Sequence, residues 1–97
     1  MNELKQIGVV DKAFNNAWTT IVQGQSQKEI PTIFASQKMR LYFIEIYKQL
    51  YAKSGGDKNF MRHWFNSLNS AFNCIPLDAC RTEAGLLTIK HYFESNR

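Results

Sequence analysis

Two histidines and two cysteines, His63, His91, Cys74 and Cys80, have the widest chemical repertoire in this 97-residue chain. As a set they offer four ligands to a metal ion. Structural zinc sites, however, bring their ligands in close pairs such as C-x2–4-C, so that one rigid turn positions both thiolates. Here the cysteines stand six positions apart and each histidine is isolated in sequence. Nucleophilic catalysis would need a base and an orienting group beside a serine or cysteine. Asp78 and Cys80 share a short segment, yet no histidine is placed locally to activate the thiol. Asp78 and Glu83 are five apart, a poor spacing for paired acid and base work, and suit helix N-termini better. Gly55-Gly56 is a lone glycine pair, read more simply as a helix cap than as a phosphate cradle. The expectation is a protein with no catalytic residues, no metal and no cofactor.

The elements that carry these residues read as helices. Ile7, Val10, Phe14, Trp18 and Ile21 recur at spacings of three and four, one face of a first helix ending near Gly24. Ser26 and Glu29 match a capping box in the polar stretch that follows. Pro31 suits the first position of the next helix, which the pattern extends from about Thr32 to Lys53. Ile33, Met39, Phe43, Ile46, Tyr47 and Leu50 form its broad apolar face, flanked by Leu41, Ile44 and Tyr51, with Lys38, Arg40, Glu45, Lys48 and Gln49 on the wet side. Gly55 stops it. Asp57 is an N-cap candidate for a third helix bearing Phe60, Met61, Trp64 and Phe65. Residues 67–75 read as a loop, Pro76 opens a short helical turn, and Thr82 caps a last helix with Leu86, Ile89 and Phe93 inward. No period-2 alternation is long enough for a strand. The fold class expected is all-α, a compact bundle of four to five helices with no sheet.

Composition fits that picture and narrows the function. Hydrophobic residues at 44% and aromatics at 13% supply a core, which excludes a disordered adaptor. No apolar run approaches the roughly 20 residues of a membrane span, and the N-terminus lacks the pattern of a signal peptide. Two free thiols in a reducing cytoplasm are therefore expected. The net charge of +4 is spread evenly, six bases and four acids in each half, without the basic stripe of a nucleic-acid footprint. Exposed aromatics on so short a helical chain favour a symmetric homodimer.

One stretch goes further. Arg40 is followed by Ile46-Tyr47-Lys48-Gln49-Leu50, then Gly56-Asp57, Trp64, Asn69-Ser70-Ala71-Phe72, Pro76-Leu77-Asp78, Thr82-Glu83-Ala84-Gly85 and Tyr92-Phe93. In that order these resemble the toxin-binding domain of Xre/MbcA/ParS-type bacterial antitoxins over about residues 38–97. The resemblance implies a protein that neutralises a cognate toxin, typically a RES-domain enzyme that consumes NAD, through its C-terminal helix and tail. On that reading Lys90, Tyr92, Glu94, Asn96 and Arg97 meet the toxin, and Asn96 and Arg97 plug its active-site cleft. Arg40, Tyr47, Trp64, Asn69, Phe72, Pro76 and Gly85 are architectural. The chain departs from the family pattern twice. Asn73-Cys74-Ile75 stands where a glycine-containing stretch is common. Residues 1–37 form an N-terminal helical region too short for the usual helix-turn-helix, which is expected to be reduced or absent. An alternative reading, a DNA-binding regulator of a toxin–antitoxin operon, stays open at this point.

Overall fold

A computed structural model describes residues 3–25 and 29–95, with the side chains of residues 3–7 left aside. Helix α1 runs Glu3–Val22. Its apolar stripe buries Phe14, Ala17, Trp18 and Ile21, leaves Val10 half-buried, and ends before Gly24 at φ 84°. The side chain of Ile7 and the Ser26 member of the capping box lie outside the described residues.

The helix expected from Thr32 onward is broken once. Thr32–Ala35 form a 3-10 turn after Pro31, and α2 spans Gln37–Ser54. Between them Ser36 is extended (φ −82°, ψ 128°) and its hydroxyl accepts from the Met39 amide at 3.4 Å. A serine at this point offers the backbone a cap in place of continued helix. The break turns Phe34 into the core, 4.8 Å from the Phe14 ring. It also corrects the reading of Arg40 as a wet-side residue. Its side chain is only 17% exposed; Nη1 donates to the Phe34 carbonyl at 2.6 Å, and Nε lies 3.1 Å from the Asp11 carboxylate.

Gly55 closes α2 in the left-handed conformation (φ 66°), and Asp57 caps α3, Lys58–Asn66, by accepting from the Phe60 amide at 3.0 Å. After the loop, Pro76 opens α4, Pro76–Ala79. Thr82 caps α5, Glu83–Ser95, its hydroxyl accepting from the Gly85 amide at 3.1 Å. The described residues hold no strand, only an isolated bridge between Asn69 and Cys74. The fold is all-α, as expected. No described helix is long and apolar enough to cross a membrane.

Helix α2 is the central post, with α1 on one side and α5 on the other. Phe14, Trp18, Phe34, Phe43 and Phe65 interlock at one end, with ring centroids 4.8–6.1 Å apart in tilted, stacked and edge-on pairs. Such geometries add to the simple burial of apolar area. Polar clamps hold α1 to α3. Arg62 Nε donates to the Thr20 carbonyl at 2.9 Å, and Asn66 Nδ2 donates to the Ile21 carbonyl at 3.0 Å. Both are among the last carbonyls of α1, which have no partner within the helix.

Gly85 fixes the angle of α5. A Cβ built there would stand 2.0 Å from the Ala79 carbonyl oxygen, a backbone atom that cannot rotate aside. Gly85→Ala is therefore expected to cost about 1–3 kcal/mol, as overpacking does. For a chain of this size that lowers Tm by about 4–8 °C per kcal/mol. A melting curve matching the parent would refute the close approach.

Candidate functional site

Helix α5 has three faces with three different surroundings. Leu86, Ile89 and Phe93 point into the core and are buried. Lys90 and Glu94, one turn apart, lie toward α2. Tyr92 lies on the other flank, toward the loop.

On the first flank the Lys90 ammonium is 2.6 Å from the Glu94 carboxylate and 3.8 Å from that of Glu45 on α2, and it sits 5.2 Å from the centre of the Tyr42 ring. The hydrogen bond to Glu94 holds the ammonium above its ordinary value, helped by the charge of Glu45. These groups satisfy one another across the α2–α5 seam.

On the second flank a run of aromatic rings surfaces. Tyr92 meets Phe72 edge-on at 4.9 Å and Phe93 at 5.5 Å. Trp64 meets Phe93 at 5.4 Å, Phe65 at 5.1 Å and Phe72 at 6.0 Å. Between α2, α3 and α5 this leaves a groove of about 200 Å³ lined by Leu50, Lys53, Phe60, Trp64, Tyr92 and Phe93. Phe60 is 47% exposed at its lip. The reason is crowding on a nine-residue helix. Met61 and Phe65 take the buried stripe, so the neighbouring stripe of Phe60 and Trp64 faces the groove. Two adjacent i, i+4 apolar pairs, Phe60/Trp64 and Met61/Phe65, were the sequence signal for this surface, since α3 packs only the second into the core.

The sequence-derived set thus divides. Tyr92 lines the groove. Lys90 and Glu94 lie on the opposite flank. Asn96 and Arg97 fall outside the described residues. Of the architectural set, Trp64 and Phe72 build the groove's aromatic wall, Pro76 is buried under α4, and Gly85 sets the α5 crossing. Tyr47 is half-buried and lies 6.3 Å from Tyr51, while Arg40 works at the distant α1 junction. Lys53, Leu50 and Phe60 were not singled out from sequence as site residues.

The loop behind the wall is held by Asn69. Its side chain accepts from the Ala71 amide at 2.9 Å, and its carbonyl accepts from the Asn73 amide at 2.8 Å. Asn73 has φ 57°, the left-handed conformation that glycine usually supplies. Asparagine tolerates it better than other side chains. Asn73→Gly should therefore leave stability within about 0.5 kcal/mol, whereas Asn73→Val should cost about 1–2 kcal/mol. Equal denaturation midpoints for the two would refute this.

The remaining reactive groups do not converge. His63 lies beside Ser67 at 3.3 Å, His91 is exposed, and among the described residues no three His, Cys, Asp or Glu gather around a point. Burial, with a smaller contribution from nearby Cys74, pushes the Cys80 thiol from 9.0 up to about 12. Cys74 is half-buried. At pH 8 a thiol reagent should label Cys74 in the native protein and Cys80 only after unfolding. Above about pH 9 the unfolded chain releases the Cys80 proton and the folded chain keeps it, so stability should fall as pH rises toward 12. Rapid native labelling of both thiols would contradict the buried placement.

No curated protein was found to match the chain. Residues 49–95, from the last turns of α2 through α5, match the family model of the antitoxin Xre/MbcA/ParS C-terminal toxin-binding domain. Every residue lining the aromatic groove falls within that span. The similarity suggested by the order of Trp64, Asn69, Pro76 and Gly85 is thereby shown: the C-terminal half of this chain resembles the toxin-binding domain of Xre/MbcA/ParS antitoxins.

Proposed function

We propose that the protein is an antitoxin, a non-enzymatic binding protein that neutralises a cognate toxin by direct contact through α5 and the chain that follows it. The observation that carries this reading is the match of residues 49–95 to a toxin-binding domain. The structure is compatible with it: α5 keeps Glu83, Ala84, Thr88, His91, Glu94 and Ser95 exposed, so the end of the fold has surface to offer.

The resemblance extends the proposal to the partner. The toxin is of the RES-like, NAD-consuming class, and Lys90, Tyr92, Glu94, Asn96 and Arg97 form the contact set. Arg97 is chemically suited to a cleft that accommodates a phosphate-bearing cofactor, because a guanidinium presents several donors in a rigid plane to acidic or hydrogen-bonding groups. On this reading Asn96 and Arg97, which follow α5 in sequence, block the cleft.

Co-expression with a RES-like toxin tests both levels. The intact chain should restore growth and co-purify with the toxin. Ser95 is exposed, and removing Ser95 to Arg97 should leave the melting temperature near that of the parent. The same truncation should weaken toxin affinity at least about tenfold, equivalent to roughly 1.4 kcal/mol. Full neutralisation by the truncated chain would reject the plug; failure of the intact chain to neutralise would reject the antitoxin assignment.

A further inference from the structure

We propose that the crevice between residues 29–32 and the corner joining α4 to α5 is the contact of a symmetric pair of copies of this chain. Each copy inserts Ile30 into the other's crevice and sets Arg81 against Glu29 of the second copy. The surface shares no residue with the aromatic groove, so it stands apart from the antitoxin reading.

The lining is what self-pairing requires. Glu29, Ile30, Pro31, Thr32 and Arg81 enclose about 240 Å³, room for one aliphatic side chain. Ile30 is itself 48% exposed. Glu29 and Arg81 are both exposed, and among the described residues neither side chain is in an ion pair or hydrogen bond. They line one crevice without meeting. A two-fold axis makes a surface its own partner: residue i meets j while j meets i. A patch with one unpaired acid and one unpaired base beside an apolar residue is therefore complementary to its own copy. A purely acidic or purely basic partner would satisfy only one of the two charges.

Both walls are set before contact. Ile30 precedes Pro31, which restricts its backbone to extended conformations, and buried Pro31 accepts at its carbonyl from the Phe34 amide at 3.1 Å. On the other side the Arg81 amide donates to the Asp78 carbonyl at 3.1 Å, and Thr82 caps α5 directly after it. Little backbone freedom is left to lose on association. The contact is nonetheless weak. Each copy carries +4, so association works against mutual repulsion. Five lining residues are also fewer than the roughly 20–30 a side of a stable interface. The dimer therefore forms reversibly and at high concentration, and it carries two copies of α5.

Sedimentation equilibrium of the full chain, over a concentration series up to about 1 mM, tests this. The parent should associate to a dimer and no further, because a two-fold contact closes on itself. Arg81→Glu and Glu29→Arg, taken singly, should each raise the dissociation constant about tenfold, since each places two like-charged pairs across the axis. Arg81→Glu also lowers the net positive charge, so its weakening cannot come from overall repulsion. The double variant, Glu29→Arg with Arg81→Glu, restores both pairs in reverse and should return the dissociation constant to within about threefold of the parent. Ile30→Asp should leave only monomer with its melting temperature retained, because the side chain is half exposed.

A parent that stays monomeric throughout the series, or a dimer whose affinity ignores the charge changes, would overturn the proposal. So would a dimer lost in Phe60→Asp but kept in Ile30→Asp, which would assign the pairing to the aromatic groove.

Discussion

Helix α5 crosses α4 so closely that only a hydrogen atom fits on the α-carbon of residue 85, and that crossing determines where everything beyond it lies. A side chain there would meet the Ala79 carbonyl, whose position is set by the short α4 turn that Pro76 begins. With the crossing fixed, Leu86, Ile89 and Phe93 fall in register against α2, and Thr82 can satisfy the first turn of the helix. A looser crossing would rotate Phe93 away from Trp64 and open the aromatic wall. The protein's outward chemistry thus rests on a steric constraint one turn into its last helix.

The two aromatic assemblies divide the labour. The larger one, around Phe14 and Phe43, is buried and ties α1 to the central post through apolar burial and ring packing. The smaller one, from Trp64 through Phe72 to Tyr92, is only half covered, so it stiffens a surface instead of filling an interior. Phe65 connects them, since it is buried and its ring meets both Phe43 and Trp64. Rigidity made in the core is passed outward to a place where a partner can use it.

Much of this was legible in the residue pattern. Asp57, Thr82 and Gly55 marked helix ends because a side-chain cap or a left-handed glycine has a local cause that sequence records. Gly85 was legible as an architectural residue, though the backbone atom it meets was not. The interruption at Ser36 was missed because the apolar spacing runs across it unchanged; the decision came from Phe34 packing on a helix distant in sequence. Arg40 was misplaced for a similar reason. Its position on α2 faces outward until α1 and the 3-10 turn cover it. The groove itself depends on how three helices meet, so Lys53 and Leu50 gave no sign of belonging to it.

The hold of Arg62 and Asn66 on the final carbonyls of α1 bears on how such a recognition surface can be exchanged between proteins. Residues 49–95 are the matching portion, yet their α3 is finished by donors aimed at a helix that lies before them in the chain. Transplanting that portion onto a different head would remove the carbonyl acceptors on α1 and leave Arg62 and Asn66 with only their partners within α3. In this chain the recognisable segment therefore leans on a helix that lies outside it.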